Sequence, residues 1–131
     1  MNQYICHLLI GACVGIMLFF SVAVAPPIFK VLPAEWAAIY VRSFFPKYYL
    51  SLGILSLFAS FLASEIQTLI VLSICSVLLF FSYFWLTPNI NEAKDAGQKK
   101  KFNLLHALSV LLNLIVMVLF VMVLFIDFNN A

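Results

Sequence analysis

Charged side chains are what this sequence has least of. Of its 131 residues, 9% are Asp, Glu, Lys or Arg, whereas 66% are hydrophobic. A soluble domain carries about 25% charged residues, so this chain lacks the polar surface that water would require. The composition therefore excludes an ordinary soluble domain and predicts an integral membrane protein.

The alternating pattern of membrane β-strands is also missing, because the apolar segments are continuous. We therefore expect helices rather than a barrel. A spanning helix needs roughly 20 mostly apolar residues, and four segments qualify: about 4–25, 48–64, 67–87 and 102–126. We predict an all-α membrane protein, a single domain over residues 1–131 with four transmembrane helices in an up-down bundle.

Lys and Arg are absent before residue 30. The small residues at 21–25 resemble a signal-peptide cleavage site, but the basic start of a signal peptide is missing. We therefore expect the first apolar segment to remain as a spanning helix.

The seven basic residues all lie between spans 1 and 2 or between spans 3 and 4: Lys30, Arg42, Lys47, Lys94, Lys99, Lys100 and Lys101. With four spans, those two loops share one side of the membrane. Short basic loops stay in the cytoplasm. We expect a multi-pass protein of the inner (cytoplasmic) membrane, with both termini outside and both long loops cytoplasmic.

Between spans 1 and 2 we predict a short interfacial amphipathic helix. Pro26-Pro27 is expected to end the first spanning helix, and Pro46 is expected to open the second. Pro33 suits the first position of the helix between them. Its apolar side chains share one face, which is typical of a helix in the headgroup layer: Trp36, Ile39, Tyr40 and Phe44.

The segment after span 3 is hydrophilic. We expect Pro88 to end the span and residues 89–101 to form a loop that Gly97 interrupts. Three lysines at its end face anionic membrane lipids. Such lysines are ordinary topology signals, so nucleic acid is not an expected partner.

Small residues recur at steps of four on two spans. Gly11 and Gly15 share a face of the first, and Ser56, Ser60 and Ser64 share a face of the second. We predict that these two faces meet inside the bundle, because small residues let helix backbones approach closely. The alternative is that the glycines form a seam with a second copy or another membrane protein.

The last span carries a polar stripe. His106, Ser109 and Asn113 lie on one helical face, and polar groups in a span avoid lipid. Two interpretations stay open: the stripe bonds across helices and fixes the packing, or it lines a binding site. The cysteines, Cys6, Cys13 and Cys75, are expected to behave as buried apolar residues.

Catalytic and metal-binding patterns are missing. The spans hold no deep Asp or Glu, no nucleophile with a base and an acid, and no closed group of metal ligands. His7 and His106 differ in depth by roughly 15 Å on a core about 30 Å thick, which opposes one haem held by both. We expect no enzyme activity, no cofactor and no metal.

Four motifs in chain order resemble the TMEM205-like (DUF4149) membrane-domain family. They are Ala25-Pro26-Pro27-Ile28-Phe29, Phe45-Pro46-Lys47-Tyr48-Tyr49, Pro88-Asn89-Ile90-Asn91, and Leu105-His106 followed by Ser109 through Asn113. The resemblance covers nearly the whole chain and implies a small four-helix membrane bundle. With the stripe, it gives the candidate polar or ligand site: His106, Asn113, Ser109, Asn91, Tyr48, Pro26, Phe29, Pro46 and Pro88.

The chain departs from the family pattern in the loop after span 3. The family favours arginine there, where this chain has Asn89 and Lys94-Asp95. The resemblance therefore does not favour an anion-binding loop.

Three functions remain open. The first is a non-enzymatic membrane protein whose inner-leaflet polar site handles a small molecule, a metal or a lipid. The second is an accessory or structural subunit that binds another membrane protein or a second copy. The third and least favoured is a haem- or copper-linked redox protein.

Overall fold

The structure, a computed structural model, describes the backbone of residues 1–130 and the side chains of residues 1–126. Within that part of the chain the regular structure is four long helices: α1 (Asn2–Val31), α2 (Ala34–Phe61), α3 (Ile66–Asp95) and α4 (Lys99–Asn130). Each is long and apolar enough to cross a membrane. The predicted all-α fold with four spanning helices is confirmed, and the protein is a multi-pass membrane protein in contact with lipids.

The connections between the helices are short, which makes successive helices antiparallel neighbours. Leu32 and Pro33 join α1 to α2, and residues 62–65 join α2 to α3. Leu32 is extended, with φ −88° and ψ 142°, because a following proline disfavours the helical conformation.

The connection between α3 and α4 corrects the predicted loop over residues 89–101. Helix α3 continues to Asp95 and α4 begins at Lys99. Gly97 has φ +71°, a left-handed conformation that glycine adopts without strain. The Gln98 amide donates to the Ala93 carbonyl at 3.0 Å and the Gly97 amide to the Lys94 carbonyl at 3.2 Å. These two bonds form a Schellman turn.

Pro26-Pro27 does not end the first helix, so that prediction is wrong. Residues Phe20–Val24 form a π-helical turn, and an α-helical segment then runs from Ala25 to Val31. The widened turn relieves the usual clash of proline with the preceding turn. The two prolines fall at the first positions of the new segment, where a missing N–H does least harm.

Pro88 in α3 repeats this arrangement, and its predicted role as a helix end is also wrong. A second π-helical turn covers Ser82–Leu86, and Thr87–Asp95 continues the helix. The Thr87 hydroxyl donates to the Ser82 carbonyl at 2.7 Å. A side chain thus satisfies a carbonyl of the disturbed ladder.

The predicted interfacial helix is not a separate element. Residues 34–45 are helical, but they continue through Pro46 into the second span as one helix, α2. An interior proline costs about 3 kcal/mol. Packing on both sides offsets this, since Ala37, Tyr48 and Tyr49 are all buried. The predicted apolar face of Trp36, Ile39 and Tyr40 points outward.

Most of the hydrophobic core lies away from residues 34–45, in the half of the bundle where α1 and α3 begin and α2 and α4 end. Helix α1 buries Cys6, Ile10, Cys13 and Met17 at alternating steps of four and three, one face of a helix. The three cysteines are buried, as predicted, and form no disulfide with one another. The Cys6 thiol donates to the Ala59 carbonyl at 3.3 Å, which ties α1 to α2.

Helices α2 and α3 pack closely through small residues. A Cβ atom on Gly53 would lie 3.1 Å from the Phe80 ring, and the Ser56 and Ser76 hydroxyls share a hydrogen bond. The serine face of α2 therefore meets α3. Gly11 and Gly15 face outward, with nothing within 4 Å of an added Cβ. The prediction that the glycine and serine faces meet is wrong, because α1 turns its larger side chains inward.

Candidate functional site

A cavity of about 740 Å³ lies in the half of the bundle where α1 and α3 end and α2 and α4 begin. We call this the basic half, because all seven Lys and Arg residues fall in its segments. All four helices line the cavity.

The deep wall of the cavity is aromatic. Phe20 of α1 packs against Tyr48 of α2 with ring centroids 5.0 Å apart, and against Phe45 at 5.4 Å. Tyr49 lies 5.8 Å from Phe45. Phe20, Phe45, Tyr48 and Tyr49 all line the cavity, and we call them the aromatic cluster. Rings of this kind offer large apolar contact area, and the tyrosines add polar tips.

The polar stripe of α4 also lines the cavity. The Tyr48 hydroxyl donates to Asn113 Oδ1 at 2.9 Å, and the Ser109 hydroxyl donates to the His106 carbonyl at 2.6 Å. The His106 ring is exposed, faces the cavity and stacks on Phe102 with centroids 5.8 Å apart. Asn113 thus joins two helices, while His106 presents its imidazole to the cavity.

The floor of the cavity lies at equal depth on two helices. Tyr48 and Asn113 each stand fourteen residues beyond the first residue of their helix, Ala34 and Lys99. At about 1.5 Å per residue that is about 21 Å along each helix. The hydrogen bond between them therefore closes the cavity from below.

Two cations line the cavity nearer its mouth. The Arg42 guanidinium makes two bonds to the Asp95 carboxylate, at 2.7 and 3.2 Å, which join α2 to α3. The Lys94 ammonium lies over the Phe102 ring, 5.8 Å from its centroid. Asp95 is not a lining residue, and no other carboxylate lines the cavity among the described residues. The lining therefore carries positive charge and no negative charge.

Six of the nine predicted site residues line this one cavity: His106, Asn113, Ser109, Asn91, Tyr48 and Phe29. Phe29 is 65% exposed and stands at the rim. Pro26, Pro46 and Pro88 are not lining residues. Pro26 and Pro88 are instead the second residues of the helical segments, after the π-turns, that carry other lining residues.

Sequence reasoning missed Arg42, Lys94 and most of the aromatic cluster as site residues. Arg42 and Asp95 are 53 residues apart in the chain, and nothing local signals that they meet. The dense aromatic run Phe44-Phe45-Pro46-Lys47-Tyr48-Tyr49 was the available signal for the aromatic cluster.

A second, wholly apolar groove of about 350 Å³ lies between α1 and α4 in the other half of the bundle, lined by residues such as Val14, Met117 and Phe125. Among the described residues that line it, none could orient a polar ligand. Among the described residues, no three His, Cys, Asp or Glu side chains cluster so as to hold a metal ion.

Comparison with known proteins gives one family. The model of a domain of unknown function, DUF4149, matches residues 8–99. The matched stretch includes nearly all of α1, the whole of α2 and α3, and the first residue of α4. No curated protein and no solved structure matches the chain.

Proposed function

The chain belongs to the DUF4149 family, and we propose that it is a non-enzymatic membrane protein that binds an amphipathic small molecule or lipid in the cavity of its basic half. One observation carries this proposal: the aromatic cluster and the polar stripe line a single large cavity together. We also assign the chain to the TMEM205-like proteins within this family, on the four motifs around its spans.

The cavity has the size and lining of a ligand site. Pockets for small molecules measure roughly 300–1,000 Å³ and combine apolar walls with a few placed polar groups, and this cavity is about 740 Å³. The aromatic cluster provides the apolar wall, whereas Asn91, His106 and Asn113 provide the polar groups. A molecule with one apolar and one polar part complements both walls at once.

The lengths of the helices support a position near the membrane surface. A helix of 30 residues, such as α1, is about 45 Å long, whereas the hydrocarbon layer is about 30 Å thick. The ends therefore reach into the headgroup layers. We propose the inner membrane with the basic half at the cytoplasmic face and both termini outside, because all seven cations lie in that half. An amphiphile then enters from the inner leaflet past the exposed Phe29.

Binding without catalysis is supported by how the one candidate nucleophile of the stripe is engaged. The Ser109 hydroxyl donates to the backbone carbonyl of His106 rather than to its imidazole. A nucleophilic serine needs a base within hydrogen-bonding reach. The arrangement suits a site that holds its ligand unchanged.

The proposal is tested by filling the cavity with a large side chain. Ala38 lines it, whereas Ala107 on α4 is exposed and does not. Native mass spectrometry of the protein released from membranes should show a bound lipid or small molecule for the wild type and for Ala107→Trp. It should show none for Ala38→Trp. Equal retention by all three proteins would place the bound molecule elsewhere and refute the proposal.

A second candidate function is supported by the outward glycines. Gly11 and Gly15 leave an open strip on α1, and strips of this kind let two membrane helices approach closely. We propose this strip as the contact of an accessory subunit or a homo-oligomer, if the cavity proves empty. Gly15→Leu should then abolish co-purification of one stoichiometric partner, whereas Ala107→Leu should not.

A further inference from the structure

We propose that the cavity selects amphiphiles with an anionic head group, a carboxylate or a phosphate, which Lys94 and Arg42 hold at its mouth. This inference rests on the proposed function and adds the charge of the ligand. It predicts that binding depends on the sign of the charge on the head group and not only on the size of the head group.

The lining of the cavity is positively charged. Arg42 and Lys94 line the cavity, and no carboxylate does so among the described side chains. Asp95 lies outside the lining and pairs with Arg42. The two cations and this one carboxylate leave one positive charge in excess at the mouth. A cationic head group would meet like charge there, and burying an unpaired charge is unfavourable.

Both cations keep N–H groups that can donate hydrogen bonds to a ligand. A guanidinium has five N–H donors, and Asp95 engages two nitrogens of Arg42 from outside the cavity. The contact of Lys94 with the face of Phe102 uses no hydrogen-bond acceptor. A carboxylate or phosphate can accept from both side chains.

The cations lie at the mouth of the cavity and the aromatic rings lie at its floor. Lys94 is the penultimate residue of α3, whereas Tyr48 and Asn113 close the floor about 21 Å along their helices. The aromatic cluster surrounds that floor. A head group at the cations therefore directs its apolar chain toward the aromatic rings.

The structure also revises what the sequence suggested about anions. The family pattern favours arginine after span 3, and its absence spoke against an anion-binding loop. In the structure Lys94 belongs to a helix, and the arginine beside Asp95 comes from α2, 53 residues away. The cationic pair is thus built from two helices rather than from one loop.

The test compares matched spin-labelled probes by electron paramagnetic resonance of the full-length protein in phosphatidylcholine vesicles. Ionised doxyl-stearate is compared with its methyl ester, and spin-labelled phosphatidic acid with spin-labelled phosphatidylcholine. The association constant of the anionic member, obtained from its immobilised fraction, should exceed that of its neutral partner about fivefold, the equivalent of about 1 kcal/mol for one lysine near an anion. Preference in the stearate pair alone identifies a free fatty acid, and preference in the phosphatidic acid pair identifies a phospholipid. Equal immobilisation within both pairs overturns the inference.

Variants distinguish binding in the cavity from binding at the basic surface of the protein. Lys94→Gln should remove most of the preference, whereas Lys100→Gln, outside the lining, should keep it. Asp95→Asn should raise the preference, because Arg42 loses its competing partner. Equal effects of Lys94→Gln and Lys100→Gln, together with no effect of Asp95→Asn, would assign the preference to the surface and overturn the inference.

The probe experiment also distinguishes a failure of charge selection from a failure of the proposed function. If Ala38→Trp displaces the neutral and the anionic probes alike and neither is preferred, the cavity binds amphiphiles but charge selection fails. If Ala38→Trp displaces no probe, the proposed function fails with it.

Discussion

The Tyr48 hydroxyl donates a hydrogen bond to Asn113 Oδ1 at 2.9 Å, and this contact joins α2 to α4 at the floor of the cavity. It bears on both interpretations of the polar stripe. Asn113 holds two helices together and, through the same side chain, lines the cavity. His106 lies two turns nearer the mouth and stacks on Phe102 instead.

Removing the Tyr48 hydroxyl tests the structural part of this contact. Tyr48→Phe should lower the free energy of unfolding by about 0.6–1.5 kcal/mol, since hydrogen bonds between membrane helices average about 0.6 kcal/mol and the partly buried Asn113 acceptor is left without its donor. Thermal unfolding in detergent measures the change. Tyr4→Phe, at a residue that is 77% exposed, is the control. A Tyr48→Phe protein as stable as the control would show that the bond contributes nothing.

The two small-residue positions with opposite surroundings should respond oppositely to alanine. Gly11→Ala should stabilise the protein by about 0.5–1 kcal/mol, because helical glycine is unfavourable and an added Cβ meets nothing within 4 Å. Gly53→Ala should be less stable than Gly11→Ala by about 1–2 kcal/mol, because its Cβ would lie 3.1 Å from the Phe80 ring. Unfolding of both variants under the same detergent conditions measures the difference. Equal stabilities would mean that α2 and α3 are not packed as closely as described.

Pro88 should matter for the cavity more than for stability. Without proline, the π-helical turn at Ser82–Leu86 is free to relax to an α-helix, which would rotate the following segment by about 100°. Pro88→Ala should then displace Asn91 and Lys94 from the cavity and weaken binding of the spin-labelled probes, with the melting temperature unchanged or higher.

Pro46→Ala is the matched control, because no π-turn precedes Pro46 in α2. It should leave probe binding as in the wild type. Loss of binding in Pro46→Ala but not in Pro88→Ala would reverse the roles assigned to these prolines.

The orientation of the bundle is tested by labelling single cysteines from either side of sealed inverted and upright vesicles. The native cysteines are buried, so they contribute little background. Lys99→Cys should react from the cytoplasmic side and Glu65→Cys from the opposite side, because these residues lie at opposite ends of the helices. Reaction of both from one side would refute the four-span arrangement, and reversed sides would refute the proposed orientation.

The sequence determines much of this fold because membrane helices follow from long apolar runs. The four spans and the inward stripe could be predicted from hydrophobicity and helical periodicity alone. Helix ends are harder to predict, because proline in a sequence is the usual signal that a helix ends or begins. The π-turns before Pro26 and Pro88 absorb the proline, and whether such a turn forms depends on the packing around it.

The features that could not be predicted depend on contacts between residues that are far apart in the chain. The face of α1 that packs inward carries Cys6, Ile10 and Cys13 rather than the glycines, and pattern alone does not choose between two apolar faces. The Arg42–Asp95 pair likewise depends on how α2 and α3 align. Both are properties of the packed bundle.

Photo-crosslinking with a fatty acid that carries a diazirine on its chain tests the central claim most directly. After irradiation of the protein in phosphatidylcholine vesicles, peptide mass spectrometry locates the labelled residues. We predict labels at cavity residues such as Phe45 and Val110, and these labels should be lost in Ala38→Trp and competed by unlabelled fatty acid. Labels confined to outward residues such as Leu104 and Leu111, which are 71% and 52% exposed and outside the lining, would contradict it.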